Sequence, residues 1–220
     1  PTRLPGDAAV GWLLTYVALL PLPGLAEGVL AAGALFAVVR LLQLRRSGGI
    51  APLLTVEAWG LTCLLFLAYW LPQLLAAVDA LDPGKALGKA AGALRYLPFM
   101  WLVAIAVATP SRRRRSFTGL GVIALVWLFD ALLQPLAGSS PLLSLLDGAR
   151  QLAGGGALCP AEEVQALGRF NGVFSECNPK LGQVLAVLSP FVLLLAGSRR
   201  WLWAGLVLAC GLVILLAGAR

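Results

Sequence analysis

Residues 52–78, "PLLTVEAWGLTCLLFLAYWLPQLLAAV", carry a single charged side chain, Glu57. A run this long exceeds a soluble strand or an ordinary core helix, and as an α-helix it is longer than the ~30 Å hydrocarbon layer of a bilayer. Such a segment crosses a membrane or lies in the interior of a large assembly. The rest of the chain decides between them, because 60% of its 220 residues are hydrophobic and 12% are charged. A soluble domain has roughly 45–50% apolar and 25% charged residues. The expectation is an integral membrane protein.

Seven apolar segments follow from the polar breaks: about 8–22, 25–43, 52–78, 95–110, 117–137, 179–197 and 201–217. Their continuous apolar character predicts helices, since spanning strands would alternate apolar and polar residues. The fold class expected is therefore all-α and polytopic, with residues 1–220 as one transmembrane domain. Pro21 and Pro23 predict a tight return from the first segment into the second.

The net charge of +7 does not point to nucleic acid, because the basic residues sit in short clusters between apolar runs. Arg45–Arg46, Arg112–Arg115 and Arg199–Arg200 follow the second, fourth and sixth segments. By the positive-inside rule this places them, with the N-terminus and Arg3, on the cytoplasmic side. The stretches 79–94 and 138–178 then face outward, which in a bacterium is the periplasmic side of the inner membrane. The four arginines at 112–115 read as a topology anchor, with an anionic-lipid or nucleotide site as the alternative. The start of the chain lacks a multiply charged leader, so the first apolar run reads as a retained span.

The connection 138–178 is out of proportion to the others, and long ordered loops usually carry function. Within it, "LLSLLDGARQLAGG" places apolar residues at 142, 143, 145, 146, 149 and 152, opposite Asp147 and Arg150. That pattern predicts a short helix at the membrane interface. Cys159 and Cys177 share this loop, whereas Cys63 and Cys210 lie in apolar segments. A disulfide between the first two is expected in an oxidising compartment, and closing such a loop stabilises it by ~3 kcal/mol in the chain-entropy model.

The chain has no His, which excludes a Ser-His-Asp or Cys-His device and any His-bound metal or haem within it. No Walker A, GxGxxG, HExxH or CxxC pattern occurs, and neither a metal nor another cofactor is expected. The remaining chemistry is cationic: Arg150, Arg169, Lys180 and Arg220, with Arg95 at the outer end of the fourth segment. Arginine's planar fork suits phosphate oxygens, so a lipid-linked phosphate is the ligand such a set would take, against snorkelling or interface roles for each alone. Asp130 and Gln134 stand at i and i+4 on one helical face, where a packing network competes with catalysis.

The stretch "RFNGVFSECNPKLGQVLAVLSPFVLLL" resembles the motif of the O-antigen ligase and polymerase superfamily. That motif has an Arg, a Gly-x-Phe and an Asn-Pro-x-x-Leu-Gly before a long apolar helix, matched here by Arg169, Gly172, Phe174, Asn178, Pro179, Leu181 and Gly182. "FDALLQPLAG" is similar to the preceding helix of the family through Gln134 and Gly138, and "LLAGAR" to its small-residue-then-Arg motif through Arg220. The resemblance covers mainly residues 117–220 and departs from the pattern at Glu176-Cys177. It implies a glycosyltransferase of the lipid-carrier-dependent class that moves a glycan from an undecaprenyl diphosphate carrier to an acceptor sugar. It implies Arg220 as the main contact to the diphosphate, with Arg169 and Lys180 next, and Asn178, Gln134, Arg150 and Arg95 at the substrate. The family's base is a later His in a part absent here, which implies an N-terminal portion of a longer protein and leaves Asp130 as the other candidate. Two further readings stay open. One is a transporter or flippase-like protein, with helices broken at Pro72, Pro98 or Pro190. The other is a non-catalytic subunit holding a partner through 138–178.

Overall fold

A computed structural model describes residues 5–46, 54–152, 154–155, 158–159, 171–175 and 177–218. All regular structure among them is helical. The helices are α1 (Pro5–Ala18), α2 (Pro23–Arg46), α3 (Val56–Val78), α4 (Pro83–Ala93), α5 (Tyr96–Val107), α6 (Pro110–Ala137), α7 (Pro141–Leu152), α8 (Leu181–Leu195) and α9 (Arg200–Leu216). A single 3-10 turn occupies Gly172–Phe174. Among the described residues four stretches are long and apolar enough to cross a membrane: Gly24–Leu44, Val56–Val78, Pro83–Val107 and Pro110–Ala137. The apolar helices α8 and α9 are shorter. The chain divides into two compact units, residues 1–16 with 24–116, and residues 17–23 with 117–220.

In the first unit α3 runs antiparallel to the α4–α5 segment. Trp59 meets Trp101 edge to face at 5.4 Å, Tyr69 meets Tyr96 at 6.2 Å, and the Trp70 indole N–H donates to the Ala90 carbonyl at 2.8 Å. Tyr16 of α1 packs on Phe99 of α5 at 5.0 Å, and Trp12 faces Phe36 of α2 at 5.8 Å. Among apolar helices such contacts act through packing rather than through exclusion of water.

Two sequence expectations change here. The stretch 79–94, read as an outer connection, contains α4, so the fourth apolar segment begins near residue 83 rather than 95. Its glycines and lysines hide the helix, which Asp82 starts by accepting the Lys85 N–H at 3.0 Å, with Pro83 in the first turn. The arginines 112–115, read as a connection after that segment, lie in the opening turns of α6.

Cations at a helix N-terminus oppose its dipole. Here they serve the neighbouring helix end instead. Arg112 Nη1 donates to the Ile105 carbonyl at 2.8 Å, Ser116 Oγ to Ala106 at 3.0 Å, and Arg113 Nε to Val107 at 3.2 Å. Side chains from α6 thus reach three successive carbonyls at the C-terminal end of α5, of which that of Ile105 also accepts the Ala108 N–H at 3.4 Å. Ser116 is fully buried in doing so. Arg115 pairs with Asp7 of α1 at 3.2 Å, an exposed contact that adds at most about 1 kcal/mol.

The second unit is organised by α6, α8 and α9, with α8 and α9 packed together. Phe117 and Phe191 meet at 5.0 Å, and a Cβ at Gly121 would stand 2.5 Å from the Phe191 carbonyl oxygen. Only glycine permits that approach of α6 to α8. Pro190 removes the N–H that the Ala186 carbonyl would accept from, and the Ser189 hydroxyl supplies the donor at 3.0 Å.

Arg112 and Arg114 should separate cleanly in stability. Arg112→Ala removes donors to the Ile105 carbonyl and to Thr109 Oγ1, and a loss of about 1.5–3 kcal/mol is expected for bonds from a charged group. Exposed Arg114, which bonds to none of the described residues, should change stability by no more than ~0.5 kcal/mol on conversion to Ala. Thermal unfolding of both variants in one detergent checks this, and equal midpoints would discard the cap.

Candidate functional site

The last turns of α6 organise the region to which the sequence pointed. Asp130 is 3% exposed. Its Oδ2 accepts the Ser140 hydroxyl at 2.7 Å and its Oδ1 accepts the Leu142 N–H at 2.9 Å. Ser140 Oγ in turn accepts the Leu143 N–H at 3.1 Å, the bond of an N-cap residue. The carboxylate therefore sits at the positive end of α7 and fixes how that helix leaves α6. Gly138, at φ +74, makes the turn between them.

One turn further along, Gln134 Oε1 accepts the N–H of Gly172 at 3.0 Å across 38 residues of sequence. The 3-10 turn is thereby placed on α6, and Phe174 inserts against Trp127, ring centroids 5.1 Å apart, both side chains buried. Gly172 has φ +50, and a Cβ on it would lie 3.0 Å from Asp130 Oδ2. Ser175 holds φ +62, a left-handed conformation that a non-glycine residue keeps only where its surroundings impose it.

The other end of the loop is strapped twice. Asp147 Oδ1 accepts the Leu158 N–H at 2.7 Å, and the adjacent Cys159 is joined to Cys177 with Cα atoms 5.6 Å apart. The disulfide expected from two cysteines in one connection is present, and it ties the segment after α7 to the residues preceding α8. The short helix expected in this connection is present as α7, with Leu145 and Leu152 exposed. Asp147, expected to face away with Arg150, is instead half-buried and turned to the loop.

The structure thus gathers Asp130, Gln134, the 171–175 turn and the disulfide in the second unit. Asn178 stands next in the chain, half-buried, its carbonyl accepting the Lys180 N–H at 2.7 Å. Lys180 is exposed at the start of α8, which has no side-chain cap. Arg150 is exposed near the end of α7. Arg95 belongs to the first unit, paired with Glu27 and lying over the Tyr96 ring at 5.8 Å. Arg169 and Arg220 lie outside the described residues. Among the described residues no group of three or more Cys, Asp or Glu side chains could hold a metal.

The burial of three polar residues in this region, Ser140, Asn171 and Ser175, was not legible in the sequence. Ser140-Pro141 before an amphipathic run is a helix-start signal, and Asn171-Gly172 is a turn signal. Neither reveals that the residue is buried. The described residues thus present a turn held on α6 and, further along the chain, the start of α8 at Lys180 with no side-chain cap.

Gly172→Ala should disrupt this turn without touching the apolar helices. A left-handed φ and a close carboxylate oppose the new Cβ, so a local cost of about 1–3 kcal/mol is expected. Limited proteolysis should cut within 153–178 faster in the variant, while the α3–α5 fragment stays resistant. Unchanged cutting would show that the turn tolerates a side chain.

Comparison with protein-family models, with curated proteins and with solved structures found no match, so the functional reading rests on the residues and their geometry.

Proposed function

We propose that the chain belongs to a glycosyltransferase of the lipid-carrier-dependent class, akin to O-antigen ligases and polymerases, acting at the outer face of a bacterial inner membrane. One observation carries this reading. Gln134 and Gly172, matched by the resemblance to two separate pieces of the family motif, are hydrogen-bonded to each other in the structure. A chance resemblance gives no reason for the two pieces to meet.

In this reading α1, α2, α3, α4–α5, α6, α8 and α9 are seven passes, with the N-terminus cytoplasmic and α7 with its loop periplasmic. The donor is a glycan on undecaprenyl diphosphate and the acceptor is a sugar hydroxyl. The acceptor oxygen attacks the anomeric carbon, the bond to the diphosphate breaks, and the hydroxyl proton passes to a base. Negative charge grows on the leaving diphosphate, and fixed cations stabilise it as a metal otherwise would. Arg220, Arg169 and Lys180 take that role, the last beside the uncapped start of α8. Asn178 and Arg150 flank the same loop. Asp130 already accepts from Ser140 and Leu142, so it positions α7, and the base is the His that the family carries elsewhere. For the transporter alternative, α3 and α8 continue through Pro72 and Pro190, whereas the candidate span Pro83–Val107 is interrupted at Leu94–Arg95, one turn before Pro98.

The expected topology is testable by labelling intact cells with an impermeant maleimide after Cys63 and Cys210 are replaced. Ser139→Cys, exposed beyond α6, should react, and Ser111→Cys, exposed at its start, should not. The reverse pattern sinks the orientation.

For activity, transfer from lipid-linked glycan by the complete protein is the measurement. Arg220→Lys should lower turnover roughly 30- to 1,000-fold, by analogy with removal of an oxyanion donor, and Arg169→Lys by less. Arg114→Lys, outside the α5 cap, should leave it unchanged. Near-wild-type transfer in all three variants removes the phosphate grip.

A further inference from the structure

The residues of α6 that hold the 138–178 connection fix how deep its described parts lie. From Ser116, just past the four arginines, to Ala137 the helix rises about 33 Å, close to the ~30 Å hydrocarbon layer. Phe129, Leu133 and Leu136 are exposed along its last turns, so the apolar flank continues to that end. With the arginines at one boundary of the layer, Ala137 stands at the other and Trp127 near the middle.

The connection does not stay at the level of Ala137. Asp130 lies about 10 Å deeper along the helix axis, and it accepts the Ser140 hydroxyl and the Leu142 N–H. Helical side chains lean toward the N-terminus, which carries the carboxylate deeper still. A Cβ on Gly172 would lie 3.3 Å from the Ala131 Cβ, about 9 Å from the end of α6. Phe174 meets Trp127, with ring centroids 5.1 Å apart, about 15 Å from that end. The first turn of α7 and the 171–175 turn are therefore both held at acyl-chain depth.

Irregular backbone at such depth is tolerated only inside protein or beside water. The turn meets that condition. Residues 171–175 are all buried, Gln134 takes the Gly172 amide, and the Asn171 and Gly172 carbonyls take those of Phe174 and Ser175. Helix α7, which packs against the turn, keeps an uncovered side. Leu145, Ala149 and Leu152 follow at i, i+4 and i+7 on one helical face, with Leu145 70% and Leu152 93% exposed and Ala149 exposed between them. Asp147 and Arg150 fall on the other side by the same spacing. An open apolar face on a helix that starts about 10 Å inside the layer has hydrocarbon for a neighbour.

We propose that the connection re-enters the leaflet from which α6 emerges, and that the Leu145–Ala149–Leu152 face of α7 is a lipid-contact surface packed against phospholipid acyl chains. The experiment is electron paramagnetic resonance on the purified full chain in vesicles of phosphatidylcholine and phosphatidylglycerol, with Cys63 and Cys210 replaced by Ala and the Cys159–Cys177 bridge intact. A nitroxide is attached singly to Leu145→Cys, Ala149→Cys or Leu152→Cys. Its collisions with oxygen, which concentrates in lipid, are compared with those with a water-soluble nickel chelate. Labels on Ser139→Cys and Phe129→Cys, both exposed on α6 or at its end, calibrate the boundary and the interior. The oxygen-to-nickel ratio at Leu145 and Ala149 should be several-fold above that at Ser139 and approach that at Phe129, and at Leu152 it should also exceed that at Ser139. Ala149→Cys removes no large side chain, so it gives the reading even where Leu145→Cys does not fold. Nickel access at Ala149 equal to that at Ser139 overturns the proposal, because α7 would then stand in water. Exclusion of both reagents from the face in vesicles overturns it as well, since a second copy or another protein would then cover the leucines.

Discussion

A backbone carbonyl or amide that loses its helical partner in apolar surroundings must find another, because there is little water to take its place. In this chain that requirement decides what many of its polar side chains do. Arg112, Ser116 and Arg113 close the end of α5, Ser189 serves the carbonyl that Pro190 leaves open, and Asp130 with Ser140 takes the first amides of α7. Gln134 does the same for the amide of Gly172. With only 12% charged residues, the chain places several of them at helix ends.

This explains which parts of the fold were legible in the sequence. Continuous apolar runs identify α2, α3, α6, α8 and α9 because burial in hydrocarbon and helical hydrogen bonding impose the same pattern. Helix α4 was hidden, since Gly84, Gly88, Gly92 and two lysines look like a connection, and its helicity depends on the Asp82 cap and on the bond from Trp70 to Ala90. The arginines at 112–115 were read by charge alone. Charge indicates which end of a helix faces water, while the carbonyls those guanidinium groups meet lie in α5, a relation that no local pattern contains.

The loop divides along similar lines. Two cysteines in one connection announce their pairing, and the i, i+4 spacing of Asp130 and Gln134 announces a common face. What that face holds was not legible, because Ser140 and Gly172 reach it from 10 and 38 residues away. The burial of Asn171 and Ser175 follows from Phe174 docking on Trp127. The cationic residues illustrate the opposite case. Lys180 was singled out for its position before an apolar helix, and that is where it stands, at a helix start no side chain caps.

The lengths of α8 and α9 have a consequence of another kind. At about 1.5 Å per residue, their 15 and 17 residues give roughly 22 and 26 Å, short of the ~30 Å hydrocarbon layer. Tilting either helix would only deepen the deficit. In the proposed seven-pass reading, lipid around the pair would compress to meet them, and hydrophobic mismatch of this sign draws a protein toward thinner membranes and toward neighbours that share the dimple. A bilayer locally thinned beside the α7 loop would also bring the headgroup region down to the level of Lys180.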